Sequence, residues 1–273
     1  MITTAAPLWD FEFARRSPIF APLRPVADKL PQIGWPNVEV LNHVAFETER
    51  RIVNARGQRI WFVPAAARAR EEPGFEPAVY LAGQVQVRPV NWHDLFNALV
   101  WMTFPTAKAA INGRHQQVIE EEAGGARSPV RDALTHFDED GVVVLSADAQ
   151  LSALLRAFAW KDLFWLHRDA VKRAMRFLVF GHALYDKARA PFIGLTGKAL
   201  IFDVGADALA LERDRLRAHV DRMVALYVLD PANLSTPKVL QPLPLLGVPG
   251  WWKANEAPSF YDNTEYFRPG RRG

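Results

Sequence analysis

Residues 91–101 (NWHDLFNALVW) combine a histidine, an aspartate and an asparagine with large apolar side chains. The apolar residues recur at helical spacing and cover nearly the whole circumference of the predicted helix. Such a helix is buried, and buried polar groups need hydrogen-bonding partners. We therefore expect His93, Asp94 and Asn97 to face a cleft or a buried network. An imidazole beside a carboxylate and an amide suits general acid–base catalysis or metal binding.

A second histidine, His182, lies in residues 160–187, which we predict to form one long helix. Apolar residues recur every three or four positions on either side of it, and this spacing predicts a seam that faces the core. If His182 meets His93, the two imidazoles form a metal or acid–base centre, with Tyr185 close by. His115 could join them, although its polar neighbours favour an exposed position.

A purely structural interpretation accounts for the same residues. Asp94 lies near the start of its helix, where an acidic side chain caps free backbone N–H groups. A lone histidine on an apolar face is often a core residue whose hydrogen bonds are satisfied. In that case the polar cluster is a network that fixes the fold, and it carries out no chemistry.

Arg131 and Asp132 precede a predicted hairpin, in which residues 133–137 and 142–145 form the two strands. The pair could bind an anionic substrate group or orient a histidine, or it could be an ordinary ion pair at a strand edge. The acidic residues that follow form the predicted turn, because they lack the spacing of a calcium-binding loop. Trp251, in the C-terminal segment, is a further candidate for substrate binding.

The chain has no cysteine, which excludes disulfide bonds, thiolate catalysis, iron–sulfur clusters and cysteine zinc sites. Residues 194–198 (GLTGK) hint at a phosphate-binding loop, but Phe192 occupies the position of its first glycine and Ala199 that of its hydroxyl. The common zinc-protease, serine-hydrolase and dinucleotide-binding motifs are missing from the sequence as well. We therefore predict no nucleotide, flavin or iron–sulfur cofactor. The sequence is compatible with a bound divalent metal.

The overall pattern predicts an α+β fold, mostly helical, in a single domain of residues 1–273. Strands are short and antiparallel or paired in hairpins, and one such hairpin spans residues 79–88. The predicted core covers residues 36–230. Residues 231–268 are irregular and rich in proline, which prevents a long helix, and in tryptophan, which disordered segments lack. We expect this segment to wrap around the body and pack against it.

The charge balance is mildly basic, with a formal net charge of +3. Arg168, Lys172 and Arg176 recur every four residues, so they share one face of the predicted helix. That face is either solvated or binds a polyanion. No stretch is long and apolar enough to span a membrane, and the first residues lack the pattern of an export signal. Together with the absence of cysteine, these features favour a cytoplasmic protein.

An ordered set of motifs runs along most of the chain. The set consists of residues 91–101 with FP (104–105) and Lys108, then RDALT (131–135), FDE (137–139), FGHALY (180–185), GLTGKA (194–199), PLP (242–244), GWW (250–252) and NE (255–256). In these motifs, from about Trp61 to Arg268, the chain resembles a bacterial family known as a domain of unknown function, DUF3025. The resemblance implies a bacterial origin and one intact domain, and it transfers no activity and no catalytic residue.

Two functions fit these observations. The first is a hydrolase-type enzyme, with or without a metal, whose cleft gathers His93, Asp94 and His182 as catalytic residues. The residues that would then bind the substrate are Asn97, Arg131, Asp132, Tyr185 and Trp251. The second is a non-catalytic binding or regulatory protein, in which the polar cluster is structural and the basic face meets a protein or nucleic-acid partner.

Overall fold

Helices make up most of the structure, a computed structural model that describes residues 7–48, 50–65, 74–122 and 126–270. The helices are α1 (Arg24–Ala27), α2 (Val38–Phe46), α3 (Phe75–Ala82), α4 (Trp92–Thr103), α5 (Pro105–Glu122), α6 (Pro129–Asp140), α7 (Ala149–Arg156), α8 (Arg168–Ala174), α9 (His182–Ala188), α10 (Ala206–Leu209) and α11 (Arg213–Leu229). The strands are β1 (Trp61–Pro64), β2 (Gln84–Val87), β3 (Gly141–Ser146), β4 (Met175–Val179), β5 (Thr196–Asp203) and β6 (Gln241–Pro244).

The strands form two small sheets. The strand order in the larger sheet is β4–β3–β5–β6, and the smaller sheet pairs β1 with β2. Strand β3 runs antiparallel to β4 but parallel to β5, and β5 runs antiparallel to β6. Strands β1 and β2 are also parallel. The mostly helical α+β class is therefore confirmed, although two of the four strand pairs in the described residues are parallel rather than antiparallel.

The hairpin predicted over residues 79–88 is wrong, because its first half is helical. Helix α3 continues to Ala82 and ends at Gly83, whose φ of 67° is the left-handed conformation of a helix C-cap. Only residues 84–87 are extended, and they pair with β1 as a parallel strand. Val79 is fully buried, so the apolar run that indicated a strand is the buried face of a helix.

Residues 129–140 form helix α6, where the sequence predicts a strand and a turn. Ser128 caps the helix by accepting a hydrogen bond from the Arg131 backbone N–H, and Pro129 occupies its first turn. The apolar residues of α6 are buried at helical spacing. Strand β3 follows without a loop, so the acidic residues 138–140 form the last turn of α6 beside a buried strand.

The long helix predicted for residues 160–187 is wrong as well. This region contains a π-helical turn (Asp162–Leu166), then α8, β4 and α9. Strand β4 pairs with β3, and this pairing overrides the helical spacing of the sequence. Gly181, between β4 and α9, lies so close to α6 that an added Cβ would be 2.3 Å from the Glu139 carbonyl oxygen. His182 consequently begins α9 directly against the last turn of α6.

The C-terminal segment packs on the body, as its apolar residues predict. Leu243, Leu245 and Leu246 are fully buried, and β6 forms one edge of the larger sheet. The Tyr266 hydroxyl donates a hydrogen bond to the Leu195 carbonyl oxygen. Although much of its backbone is irregular, the segment is therefore part of the hydrophobic core.

The core also begins earlier than predicted, because Phe13, Phe20 and Leu23 are buried although they precede residue 36. The helix predicted for residues 91–101 is confirmed as α4. No helix within the described ranges is both long and apolar enough to cross a membrane. The assignment of residues 1–273 to one domain stays a prediction.

Candidate functional site

An open cavity of about 480 Å³ lies where α3, α4, α5 and α6 meet β2 and the start of α9. Its walls carry three histidines, His93, His115 and His182, together with the carboxylates of Asp138 and Glu139. These five residues come from four different helices, so only the tertiary structure brings them together. The cavity is therefore the candidate functional site.

Two imidazoles and one carboxylate form a triangle on the cavity wall. The ring centroids of His93 and His182 are 4.6 Å apart, so the two histidines meet as the enzyme hypothesis requires. Glu139 Oε2 lies 3.5 Å from His182 Nε2 and 4.0 Å from His93 Nε2. One ligand atom from each of the three residues lies within 4.8 Å of the other two. A single metal ion can bridge atoms at this spacing.

Each member of the triangle projects from a helix end that its surroundings hold in place. His93 is the second residue of α4, whose N-cap Asn91 accepts a hydrogen bond from the backbone of the first turn. Glu139 lies in the last turn of α6. His182 is the first residue of α9, and the close approach at Gly181 holds it against α6. Side chains on such elements keep their relative positions better than side chains on loops.

Burial shifts the pKa values of two members of the triangle, His182 and Glu139, in opposite directions. It lowers the pKa of His182 to about 3, so this imidazole is neutral at pH 7 and keeps a nitrogen lone pair. Burial, reinforced by the Asp138 carboxylate, raises the pKa of Glu139 to about 7. Strong shifts caused by desolvation next to specific charges are typical of functional sites.

Behind the triangle, Lys108, Asp138 and Asn97 form a buried polar network. Lys108 Nζ lies 2.6 and 2.8 Å from the two carboxylate oxygens of Asp138 and 2.9 Å from Asn97 Oδ1. Burial by itself would raise the pKa of Asp138, but the charge of Lys108 holds it below its usual value. Asn97, a predicted substrate-binding residue, lines the cavity and directs its carbonyl oxygen to Lys108.

Asp94 lies at the rim of the cavity and is paired with Arg88. Its two carboxylate oxygens accept hydrogen bonds of 2.7 and 2.8 Å from the Arg88 guanidinium. Burial would raise the pKa of Asp94, but these bonds hold it below its usual value. Within the described residues Asp94 makes no hydrogen bond to His93, so the partner that it orients is Arg88.

Arg131 and Asp132 do not reach the cavity, because both lie in the first turn of α6 and the cavity lies at its other end. Arg131 pairs with Glu122 at 2.7 Å. Asp132 pairs with Arg127 at 2.5 Å. The two residues thus tie the start of α6 to neighbouring segments, and the structure does not bring them to His93 or His182.

Tyr185 and Trp251 also lie apart from the triangle. Tyr185 is fully buried, and its hydroxyl donates a hydrogen bond to the Val179 carbonyl oxygen. Trp251 lines a different cavity, together with Trp252 and Arg189. A substrate bound at the triangle therefore meets neither aromatic side chain directly.

Two residues of the cavity differ from the sequence-based interpretation. His115 has an exposed fraction of 4%, because α5 is covered on several sides rather than lying on the surface. Glu139 belongs to a helix end, although its acidic neighbours indicate a turn. The signal that reveals it is the helix start at Ser128 and Pro129, which predicts a helix of ordinary length ending near residue 140.

Arg168, Lys172 and Arg176 do not form one helix face. Helix α8 ends at Ala174, and Arg176 lies in β4. Arg168 donates hydrogen bonds of 3.0 Å to the backbone and side-chain oxygens of Asn255. Arg176 likewise donates to backbone carbonyl oxygens. The two arginines are therefore occupied within the chain, and the continuous basic face predicted for a polyanion is not present.

The chain matches a family model, described as a protein of unknown function (DUF3025), over residues 60–271. This match covers most of the sequence. The chain belongs to the DUF3025 family. The resemblance inferred from the ordered motifs is thus confirmed, and His93, Glu139 and His182 all lie within the matched region. No curated protein and no solved structure matches the chain.

In this DUF3025 protein a strained residue lies between Arg88 and His93, two residues that line the cavity. Val90 has a φ of 53°, a left-handed conformation that costs a β-branched residue about 1–2 kcal/mol. It lies in the turn that connects β2 to α4, between Arg88 and His93. Strained residues cluster at functional sites.

The raised pKa of Glu139 predicts how the stability of the metal-free protein depends on pH. The pKa is about 7 in the folded state against 4.5 for a free side chain. The contribution of this carboxyl group to stability is therefore fully present below pH 4.5 and is lost as the pH rises through 7. Between pH 5 and pH 8, Glu139→Gln is expected to gain about 1 kcal/mol relative to the parent, after allowance for solvent screening of a partly exposed group.

Urea denaturation of both proteins in the presence of a chelator measures this gain. Glu265→Gln, which changes an exposed carboxyl group, is the control, and it is expected to show no gain. A stability difference between Glu139→Gln and the parent that is the same at both pH values contradicts the assignment.

Proposed function

We propose that this protein is a metal-assisted hydrolase whose divalent metal ion is held by His93, Glu139 and His182. The observation that carries the proposal is the triangle, in which one ligand atom from each residue lies within 4.8 Å of the other two. The triangle lies on the wall of an open cavity, so a substrate can reach it. Two imidazole nitrogens and one carboxylate oxygen are a ligand set of catalytic zinc sites.

The spacing of the ligand atoms favours zinc or a similar ion. Bonds of about 2.0–2.2 Å in a tetrahedral site place ligand atoms roughly 3.3–3.6 Å apart. The separation of 3.5 Å between Glu139 and His182 already has this value. The separation of 4.0 Å between Glu139 and His93 closes with a small rotation of the His93 ring, whose side chain is 36% exposed. Three protein ligands would leave one position of a four-coordinate zinc ion for water or substrate.

Zinc bound in this way would lower the pKa of a water ligand to about 7 and supply hydroxide at neutral pH. The residues of the chain determine what else enters the cavity. Arg88, whose side chain is 58% exposed, offers guanidinium N–H groups to a polar or anionic part of the substrate. His115 offers a neutral imidazole, because burial lowers its pKa. Asp94 and Asn97 act through their partners, by holding Arg88 and Lys108.

A zinc titration of the chelator-treated protein tests the proposal. The parent is expected to bind one zinc ion per chain in competition with a fluorescent chelator. It is also expected to hydrolyse p-nitrophenyl acetate or bis(p-nitrophenyl) phosphate only when zinc is present. His182→Ala removes a ligand, so it is expected to weaken zinc binding by about 100-fold or more and to abolish the zinc-dependent hydrolysis.

His43→Ala is the matched control for this titration. His43 pairs with Glu47 at 3.1 Å on an exposed surface, but no third ligand completes a site there in the described part of the chain. This variant is expected to bind zinc as the parent does. A parent that binds no zinc, or a His182→Ala variant that binds it equally well, contradicts the metal centre. Zinc binding without hydrolysis of either ester contradicts the hydrolase activity.

A non-catalytic binding protein is the second candidate function, and the buried network of Lys108, Asp138 and Asn97 favours it. These side chains satisfy one another without any ligand, so they stabilise the fold whether or not a metal binds. In this function the cavity binds a partner without changing it, and the zinc titration is negative. For either function we propose a cytoplasmic location, because a chain without cysteine suits a reducing compartment.

A further inference from the structure

We infer that Asp138 positions His182 as a metal ligand, and that Lys108 and Asn97 hold Asp138 in the required orientation. The inference rests on the proposed metal centre, and it gives the buried network a function beyond the stability of the fold. None of the three side chains of the network belongs to the triangle of His93, Glu139 and His182.

The two ring nitrogens of His182 face two different carboxylates. Nε2 lies 3.5 Å from Glu139 Oε2, whereas Nδ1 lies 3.6 Å from Asp138 Oδ2. His182 has an exposed fraction of 5%, and among the residues that the structure describes Nδ1 has no hydrogen-bond partner. A shift of roughly half an ångström brings Nδ1 within hydrogen-bond distance of Asp138. That bond keeps the proton on Nδ1 and directs the lone pair of Nε2 toward Glu139 and the metal position.

Lys108 binds both carboxylate oxygens of Asp138, at 2.6 and 2.8 Å, and each oxygen keeps a second lone pair, so Oδ2 can still accept a hydrogen bond from His182 Nδ1. The ammonium group also binds Asn97 Oδ1 at 2.9 Å, so its three donors are all used. The ring of Trp101, 5.5 Å from Nζ, packs against the same ammonium group. The ammonium group is therefore fixed in position, and it fixes the carboxylate that faces His182.

Adjacent carboxylates at the end of α6 thus have different functions. The Glu139 side chain is 35% exposed and lies beside both histidines of the triangle, whereas Asp138 lies inside with Lys108. Successive residues of a helix point about 100° apart, so two neighbours can contact opposite sides of one imidazole. A carboxylate that accepts a hydrogen bond from the ring nitrogen that does not bind the metal typically improves the metal affinity of a histidine ligand by about 10–100-fold.

Two double variants separate positioning from folding. Lys108→Met with Asp138→Leu removes both buried charges and the acceptor for Nδ1. Lys108→Met with Asp138→Asn removes the same charges but keeps an acceptor of nearly the same size. Replacing a buried ion pair by apolar residues of similar volume usually leaves a fold intact. Lys108→Met with Asp138→Leu is expected to bind zinc about 10–100-fold more weakly than the parent. Lys108→Met with Asp138→Asn is expected to recover only part of this loss, because it keeps an acceptor for Nδ1 but lacks the Lys108 contacts that orient it.

The visible absorption spectrum of the cobalt-loaded protein provides the second readout, because it reports the number and geometry of the ligands. The leucine variant is expected to change the spectrum, and the asparagine variant is expected to keep that of the parent. If the leucine variant does not fold, Asp138→Ala in the same background replaces it. If the parent and both double variants bind zinc with equal affinity and give the same spectrum, the positioning function is overturned and the metal centre is not. A parent that binds no zinc overturns both.

Discussion

Lys108→Met is expected to lower the free energy of unfolding by about 3–5 kcal/mol, measured by urea denaturation at pH 7. The substitution keeps much of the side-chain volume but removes the charge that compensates Asp138, whose exposed fraction is 9%. The buried carboxylate then either stays charged without a partner or takes up a proton, and both cost free energy. Asn97 loses its hydrogen bond at the same time.

Lys187→Met is the matched control for this prediction. Lys187 pairs with Asp140, the last residue of α6, at 2.6 Å. Lys108 pairs with Asp138 of the same helix at the same distance. Its side chain is 47% exposed, so water screens the pair and its loss is expected to cost under about 1 kcal/mol. If Lys108→Met and Lys187→Met lose equal free energy of unfolding, burial is not what makes the Lys108–Asp138 pair important for stability. Lys108→Met with Asp138→Leu is expected to be more stable than Lys108→Met alone, because no unpaired charge remains.

The histidines of the candidate site could be predicted from the composition of two short segments. Helix α4 is apolar around most of its surface, yet it carries His93 and Asn97, and both line the cavity. Burying a polar group costs free energy unless the group finds a partner. A histidine in an apolar segment therefore indicates a partner elsewhere in the chain. The same argument applies to His182, and it holds although the element predicted around this residue is wrong.

The positions of the Asp138 and Glu139 carboxylates are ambiguous from the sequence, because local signals conflict in the segment that carries them. Residues 138–141 have the composition of a turn, and the apolar strand residues that follow complete the pattern of a hairpin. Ser128 and Pro129 instead start a helix, and the buried positions of Leu134 and Phe137 decide in its favour. Such burial depends on contacts with distant segments, so a short window of sequence does not reveal it.

The exact position of His182 depends on long-range strand pairing. Strand β4 runs antiparallel to β3, with Val179 opposite Val142. The chain must then turn beside the end of α6, where Gly181 leaves no room for a side chain. The spacing of apolar residues within one segment contains no information about this register. A glycine between two apolar segments is the one local sign that a close approach occurs there.

Arg114→Met is expected to lower the free energy of unfolding by about 3 kcal/mol. The last carbonyl groups of a helix have no partner within that helix, and Arg114 supplies partners at the end of α11. Its exposed fraction is only 7%, so water does not readily replace it. Methionine fills much of the space but leaves most of the carbonyl oxygens that Arg114 binds unpaired, although that of Asp230 keeps a hydrogen bond from the Asn233 backbone N–H. The guanidinium donates to the backbone carbonyl oxygens of Val228, Asp230, Pro231 and Asn233.

Arg215→Met is the control for Arg114→Met, because Arg215 is exposed on α11 and its substitution is expected to cost less than about 0.5 kcal/mol. Urea denaturation measures both losses. Hydrogen exchange locates the loss of stability in Arg114→Met. Amides in the last turn of α11 and in residues 230–240 are expected to exchange faster in this variant alone. If both variants are equally stable, water does reach the four carbonyl groups, and apolar packing against α5 is what holds the end of α11.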